Sequence, residues 1–262
     1  MKQIMMMAAT LLMLVSCGGK KDSKTLVLYY SQGGTTKAVA EAIQQALGAD
    51  MEEISVVDPY DPDFGATVAR GQKEMSEGNF PELQPIQANI QDYDVIFLGY
   101  PIWFGTYANP IETLLNTVDF SGKQVVPFCS FGSGGLNTSS KAIAAKLPDA
   151  TVLPGYGVRA ARAAAIPAEV EAFLKAGGFL AGEYVKPADF PAPHAVSEEE
   201  SALFDAAVGT YPMIRAKATE VAGREVQNGM EYLFTAQENG GTIQVCVLVE
   251  DGKDPVFTQV LR

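Results

Sequence analysis

Five short apolar segments alternate with helix-like segments over residues 25–180, and this alternation limits the possible folds more than any other feature of the chain. The strand-like segments are residues 25–30, 51–57, 94–99, 124–129 and 150–153. The helix-like segments are residues 36–47, 67–76, 110–117 (with Asn109 as the N-cap), 138–146 and 167–176. The alternation predicts an α/β fold, a doubly wound sheet of five parallel strands with helices on both faces.

Composition excludes several classes of function. The formal net charge of −12 disfavours nucleic acid as a ligand, because phosphate neutralisation needs a basic face. Three cysteines are too few for a disulfide framework, and a single histidine excludes the usual multi-histidine zinc and iron sites. We expect Cys129 and Cys246 to be core residues of strands, and we assign no role to His194.

The N-terminus carries a targeting segment. Lys2 precedes an apolar run, residues 4–15, that is too short to span a bilayer but fits the core of a secretory signal. The run ends in Leu-Val-Ser-Cys at residues 14–17, which resembles a bacterial lipobox. That resemblance implies cleavage before Cys17, lipidation of Cys17, and a membrane-anchored lipoprotein of the bacterial cell envelope, outside the cytoplasm. Residues 1–17 are thus signal and lipobox, and residues 18–24 are a tether.

A second folding unit follows the first. Residues 25–182 form the α/β domain, residues 183–197 a linker with four prolines, and residues 198–262 a C-terminal α+β module. The module is predicted as a helix at 198–208 followed by β-rich stretches at 213–226, 230–237, 242–250 and 256–261, with Gly-containing turns between them. Its order of elements resembles a cystatin-like fold, with residues 221–223 and 229–234 as the matching stretches. The module either docks a partner or covers a substrate, or it only stabilises the chain.

Three loops follow strands of the α/β domain, where ligands bind in doubly wound sheets. The first has hydroxyls and glycines at a helix N-terminus, which suits one terminal phosphate, although a polar turn with good N-caps is the alternative. The second packs four aromatic residues into residues 100–107, which suits stacking against a flat ring, although these residues would also cap a core. The third, rich in Gly and Ser, leaves room for contact with a ligand edge or is merely flexible.

Together the three loops resemble those of the flavodoxin family, in the stretches YYSQGGTTKAVAEAI, DVIFLGYPIWFGTYANPI and FSGKQVVPFCSFGSGG. The resemblance implies a strand order of 2-1-3-4-5 and one non-covalently bound FMN. It assigns the phosphate loop to Ser31, Gln32, Gly33, Gly34, Thr35 and Thr36. It assigns the first ring loop to Pro101, Ile102, Trp103, Phe104 and Gly105, with Trp103 stacking on the ring. It assigns the second ring loop to Ser130, Phe131, Gly132, Ser133, Gly134 and Gly135.

Three functions remain open at this point. The first is an envelope-anchored electron-transfer flavoprotein that exchanges electrons with a partner protein or a small molecule. The second is an NAD(P)H-dependent flavin or quinone reductase with a substrate on the open ring face. The third is a non-redox binding protein that has lost the flavin. We expect the segment 58–89 to cover part of the site. We expect Arg159 and Arg162 to be solvated, and the alternative is that they approach the flavin or an anionic substrate.

Overall fold

The computed structural model describes residues 23–209 and 211–261, which form two β-sheets with their associated helices. The predicted signal, lipobox and Cys17 lie outside these residues, as does most of the tether. Among the described helices, none is long and apolar enough to cross a membrane.

The first sheet belongs to the predicted α/β domain. Its elements in chain order are β1 (Thr25–Tyr29), α1 (Thr35–Leu47), β2 (Asp50–Glu53), α2 (Phe64–Glu77), a 3-10 turn (Ile90–Asp92), β3 (Val95–Trp103), β4 (Thr106–Tyr107), α3 (Asn109–Thr117), β5 (Gln124–Phe131), α4 (Leu136–Lys146), β6 (Thr151–Val152), β7 (Tyr156–Arg159), a second 3-10 segment (Ala160–Ala165) and α5 (Ile166–Ala176). The parallel strands run β2-β1-β3-β5-β6, while β7 also pairs with β5 and β4 pairs with the end of β3. This order confirms the predicted doubly wound sheet.

Alternate residues of each central strand point to opposite faces of the sheet, and both faces are covered. Leu26 and Leu28 pack into one buried layer with apolar residues of α3 and α4. Val27 and Tyr29 pack into the other layer with apolar residues of α1 and α5. Because β1 is buried on both faces, it has the continuous apolar character that the sequence showed.

The predicted fifth strand, residues 150–153, is only part of the edge that pairs with β5. β6 pairs with Gln124 and Val125, and β7 pairs with β5 from Phe128 onward. The break lies beside Pro127, which has no backbone N–H to donate to a neighbouring strand. The edge therefore continues to Arg159, six residues beyond the predicted end at 153.

Several other boundaries differ from prediction: α2 begins at Phe64, β3 ends at Trp103, β5 ends at Phe131 and α4 begins at Leu136. The end of β2 and the start of α3 differ as well. β2 ends at Glu53, and Val56 instead forms an isolated antiparallel bridge with Leu83. Asn109 is the first residue of α3 and not its cap, because Ala108 holds the cap position in extended backbone. The Asn109 side-chain amide donates to Gly71 O (3.0 Å) and Glu74 Oε2 (2.8 Å) of α2. The bridge of Val56 and the hydrogen bonds of Asn109 both involve the segment between β2 and β3, and local sequence patterns do not reveal such contacts.

The C-terminal module is an α+β unit, as predicted. It contains β8 (His194–Ala195), α6 (Glu198–Val208), β9 (Ala216–Val226), β10 (Gly229–Glu238), β11 (Gly241–Glu250) and β12 (Val256–Leu261). The strands form an antiparallel sheet in the order β12-β11-β10-β9-β8. A capping box between Ser197 and Glu200 begins α6, which packs Phe204 against Phe234 with ring centroids 5.1 Å apart. The cystatin-like resemblance of the module stays a prediction.

The predicted linker contributes a strand to this module, since β8 pairs with β9. His194 also has a partner there, with its Nε2 3.0 Å from Glu200 Oε1. Cys129 and Cys246 are buried, as predicted. Burial raises the pKa of Cys246 to about 11, and it raises the pKa of Cys129 further.

Candidate functional site

The three predicted loops meet at the carboxyl ends of β1, β3 and β5 and line a cleft of about 490 Å³, which we call the first cleft. Ten of the predicted residues line it: Gln32, Gly33, Thr35, Pro101, Ile102, Trp103, Phe104, Ser130, Phe131 and Gly132. Gly105, Ser133, Gly134 and Gly135 line a neighbouring cleft of about 420 Å³, the second cleft. Ser31, Gly34 and Thr36 lie in the phosphate loop and line neither cleft.

The phosphate loop has an open anion site. Gly34 occupies the N-cap of α1 with φ of 86° and, as a glycine, supplies no side-chain cap of its own. A Cβ atom at Gly33 or Gly34 would meet nothing within 4 Å, so the space over the loop is free. Ser31 Oγ accepts a hydrogen bond from Lys37 N at 3.2 Å, which leaves the Ser31 hydroxyl hydrogen to donate elsewhere. The loop therefore offers backbone and hydroxyl donors to a negatively charged group.

Side chains hold this loop in place from two directions. Thr36 Oγ1 lies 2.8 Å from Ser130 Oγ, and both residues are buried. Gln32 accepts a hydrogen bond from the Tyr30 hydroxyl (2.7 Å) and donates to Asp61 O (3.1 Å). Thr36 therefore links the phosphate loop to the second ring loop, because its hydroxyl is hydrogen-bonded to that of Ser130 inside the protein.

The first ring loop is a β-hairpin. Trp103 pairs with Thr106, and the two residues between them, Phe104 and Gly105, have φ of 51° and 85°. Two positive φ values at the centre of a two-residue turn are the geometry of a type I′ hairpin. Phe104 leans onto α2, where a Cβ at Gly71 would be 3.0 Å from Phe104 Cε2. The hairpin thus places Trp103 and Phe104 along one wall of the first cleft.

Trp103 is supported by two tyrosines that meet it edge to face. Its ring centroid is 4.9 Å from that of Tyr60 and 5.9 Å from that of Tyr30. The Tyr60 hydroxyl donates to Glu74, and the Arg70 guanidinium lies 4.1 Å from the centre of the Tyr60 ring. Burial, then the hydrogen bond to Glu74, raises the pKa of Tyr60, so it stays a neutral donor. This support orients Trp103 before any ligand arrives.

The segment before β3 supplies residues that the sequence analysis did not single out. Pro62, Phe64, Thr67 and Val68 line the first cleft, in agreement with the expectation that segment 58–89 covers part of the site. Phe64 begins α2 and is 81% exposed, which is unusual for a large aromatic residue. Its position directly after the Asp63 N-cap was a usable signal, because a helix start faces the ligand edge elsewhere in this fold.

The expectation of a solvated Arg159 is wrong. Arg159 is 7% exposed, because β12 of the C-terminal module packs over it. Its Nε donates to Gly132 O (2.9 Å) and its Nη1 donates to Phe257 O (3.0 Å). Burial lowers the pKa of Arg159, although an arginine remains charged. Arg162 instead pairs with Glu169, with Nη2 2.5 Å from Oε1.

Comparisons with known proteins agree with this geometry. The flavodoxin family profile matches residues 24–171. A flavoprotein of Bacteroides eggerthii shares 30% identity at a TM-score of 0.53, covering 59% of this chain and 98% of that protein. A flavoprotein of Bacteroides uniformis shares 28% identity at a TM-score of 0.51, covering 57% of this chain and 98% of that protein.

A curated relative is also similar over part of its length. An FMN reductase (NADPH) of Pseudomonas aeruginosa is 29% identical over 121 residues, which are 46% of this chain and 58% of that protein. The chain therefore spans less than two thirds of this relative. The family match confirms the resemblance carried by the three loops and the prediction of FMN as the cofactor.

Proposed function

Since this chain belongs to the flavodoxin family, we propose that it binds one FMN in the first cleft and transfers electrons through it. When bound, the flavin supplies the redox chemistry, and the protein supplies binding, orientation and electrostatics. The observation that carries this proposal is the placement of an open helix N-terminus and an aromatic wall in one cleft.

The phosphate end of the site fits a monoester. The free space over Gly33 and Gly34 admits phosphate oxygens close to the backbone, and the Ser31 hydroxyl hydrogen is available to donate. The dipole of α1, a helix of 13 residues, favours negative charge at this end. No lysine of a nucleotide-triphosphate loop is present in residues 31–36, which suits a single terminal phosphate.

The ring end fits a flat heterocycle. Trp103 and Phe104 offer aromatic surface on one wall, and Phe64 stands exposed at the start of α2. The volume of about 490 Å³ lies within the range of small-molecule sites. Ser130 and Phe131, at the end of the neighbouring strand β5, and Gly132, which follows it, also line the cleft and bring backbone groups to the ligand.

Titration of the apoprotein with FMN and with riboflavin tests this assignment. Riboflavin has the same ring without the phosphate, so we expect it to bind more than about tenfold more weakly, given the strength of hydrogen bonds to charged groups. Ser31→Ala should weaken FMN binding and leave riboflavin binding unchanged. Equal affinities for the two flavins would contradict the phosphate assignment.

An NAD(P)H-dependent reductase is the second candidate. The similarity to a protein named FMN reductase (NADPH) supports it. Oxidation of NADPH with a quinone as acceptor separates the two candidates. A reductase turns over many equivalents of NADPH, whereas a carrier without its own substrate site is reduced only by its partner.

We also propose that the protein is anchored to the bacterial cell envelope through lipid on Cys17. The support is the lipobox pattern at residues 14–17, after an apolar run of the right length. Cys17→Ser should move the protein from the membrane fraction to the soluble fraction after cell lysis. Retention of the variant in membranes would contradict lipidation at this residue.

A further inference from the structure

We propose that the second cleft, between the second ring loop and the C-terminal module, binds a flat, uncharged ring compound bearing hydrogen-bonding oxygens. This molecule exchanges electrons with the FMN, so the inference rests on the proposed function. In this proposal, the C-terminal module completes the binding site for a small-molecule electron donor or acceptor.

The C-terminal module is attached directly to the second ring loop. Val260 N of β12 donates a hydrogen bond to Ser133 O at 2.6 Å. A Cβ at Gly134 would lie 2.2 Å from Val260 O, so only a glycine permits this approach. The glycine at 134 is therefore explained by contact with the module.

Arg159 also connects the C-terminal module to the second ring loop. It joins Gly132 O of the loop to Phe257 O of β12, and its guanidinium carbon lies 3.4 Å from the centre of the Phe257 ring. A cation on an aromatic face is stabilised most when water is excluded, as it is around this buried side chain. The guanidinium of Arg159 therefore interacts with Gly132 O, Phe257 O and the Phe257 ring. These contacts hold the C-terminal module in a defined position over the second ring loop.

Tyr211 stands where the two clefts meet. It lies in the turn between α6 and β9, fixed by a hydrogen bond from its N to Val208 O (2.8 Å) and by ring contact with Phe257, at 5.4 Å between centroids. Its hydroxyl would be 2.6 Å from a Cβ at Gly132, a residue that lines both clefts. Within the described part of the chain, this hydroxyl makes no hydrogen bond, so it is free to donate to a ligand oxygen.

The lining of the second cleft indicates the ligand class. Ile102, Phe131 and Val260 are apolar, and Tyr211, Thr138 and Ser133 have hydroxyls. The lining is completed by glycines of both ring loops: Gly105, Gly132, Gly134 and Gly135. Among the residues that the structure describes, no acidic or basic side chain lines this cleft, so an ionic ligand would lose hydration without gaining a partner from them. Ile102, Phe131 and Gly132 also line the first cleft, which puts the two ligands in adjacent sites. A volume of about 420 Å³ admits a two-ring compound.

The test is a calorimetric titration of the FMN-loaded protein with 1,4-naphthoquinone as the probe. We expect saturable binding of one molecule per chain. Tyr211→Phe should weaken it by about three- to tenfold, the usual effect of one lost hydrogen bond, and Thr138→Val should also weaken it. FMN affinity should change less than twofold in both. Tyr232→Phe, the same chemical change elsewhere in the module, is the control and should leave probe binding unchanged.

Three results would overturn the inference: no probe binding to the FMN-loaded protein, unchanged binding in both cleft variants, or binding to the apoprotein that FMN abolishes. The last result would mean that the flavin itself fills the second cleft. FMN affinity, measured on the same samples, separates this failure from failure of the proposed function. A chain that binds FMN and no probe contradicts only the inference, whereas a chain that binds no FMN contradicts the proposed function.

Discussion

Thr36 Oγ1 and Ser130 Oγ lie 2.8 Å apart in the interior, although 94 residues separate them in the chain. One belongs to the phosphate loop and the other to the end of β5, so a single hydrogen bond joins the two ends of the proposed flavin site. Both residues are buried, and each hydroxyl is the other's hydrogen-bond partner within the protein.

Removing either hydroxyl should therefore cost stability, and removing both should cost less than the two changes separately. Thr36→Val or Ser130→Ala should lower the free energy of unfolding by about 1–3 kcal/mol, because a buried polar partner is left unsatisfied. In the double variant, we expect a coupling of about 1 kcal/mol. Urea unfolding of the four proteins measures this cycle, and strictly additive losses would show that the hydroxyls do not interact.

Trp103 should contribute to flavin affinity through its ring. Trp103→Ala removes the aromatic wall, and we expect FMN to bind about tenfold more weakly, in line with the strength of aromatic pairs plus lost burial. Quenching of flavin fluorescence during titration measures the affinity. Tyr184→Ala, an exposed aromatic residue in the predicted linker, is the matched control and should have no effect. Unchanged affinity in Trp103→Ala would remove Trp103 as the stacking residue.

Glu112 should make stability depend on acid pH. Burial alone would raise its pKa, but hydrogen bonds from Lys146, Tyr107 and Asn116 together lower it below the ordinary value of 4.5. A lowered pKa in the folded state means that the ionised carboxylate stabilises the fold above pH 4.5 and that this contribution is lost as pH falls through the folded pKa. Urea midpoints for the parent and Glu112→Gln should therefore differ at pH 7 and converge on acidification. A constant difference would contradict the lowered pKa.

Gly99 should be intolerant of any side chain. It lies in β3, where a Cβ would be 2.2 Å from Phe128 Cζ and 2.8 Å from Tyr29 Cβ. We expect Gly99→Ala to lower the free energy of unfolding by about 1–3 kcal/mol through overpacking. Gly241→Ala, where the nearest atom would be 3.6 Å away, should stay within about 0.5 kcal/mol of the parent. Equal effects of the two changes would mean that the core at β3 can move aside.

The elements of the first sheet were predictable because burial on both faces leaves a continuous apolar strand, as in residues 94–99. The loops of the site were predictable for a topological reason, since the carboxyl ends of parallel strands share one edge. The exact ends of the strands and helices were less predictable. Val56 pairs with Leu83 and the β5 edge breaks beside Pro127, and both depend on which strand lies alongside.

The burial of Arg159 had no local signal. Its partner Phe257 is 98 residues away, on a strand of a different sheet. The same holds for Tyr211, whose place at Gly132 follows from how the C-terminal module docks. Periodicity reveals which residues face a core, but it does not reveal which surface of one module covers another.

An absorption spectrum of the purified protein, recorded before and after acid precipitation, tests most directly whether the chain holds FMN. We predict visible flavin bands, one flavin per chain after loading with FMN, and release of all the flavin into the supernatant, because the binding is non-covalent. A colourless protein whose spectrum and titration show no uptake of added FMN would contradict the account and favour a binding protein without redox function.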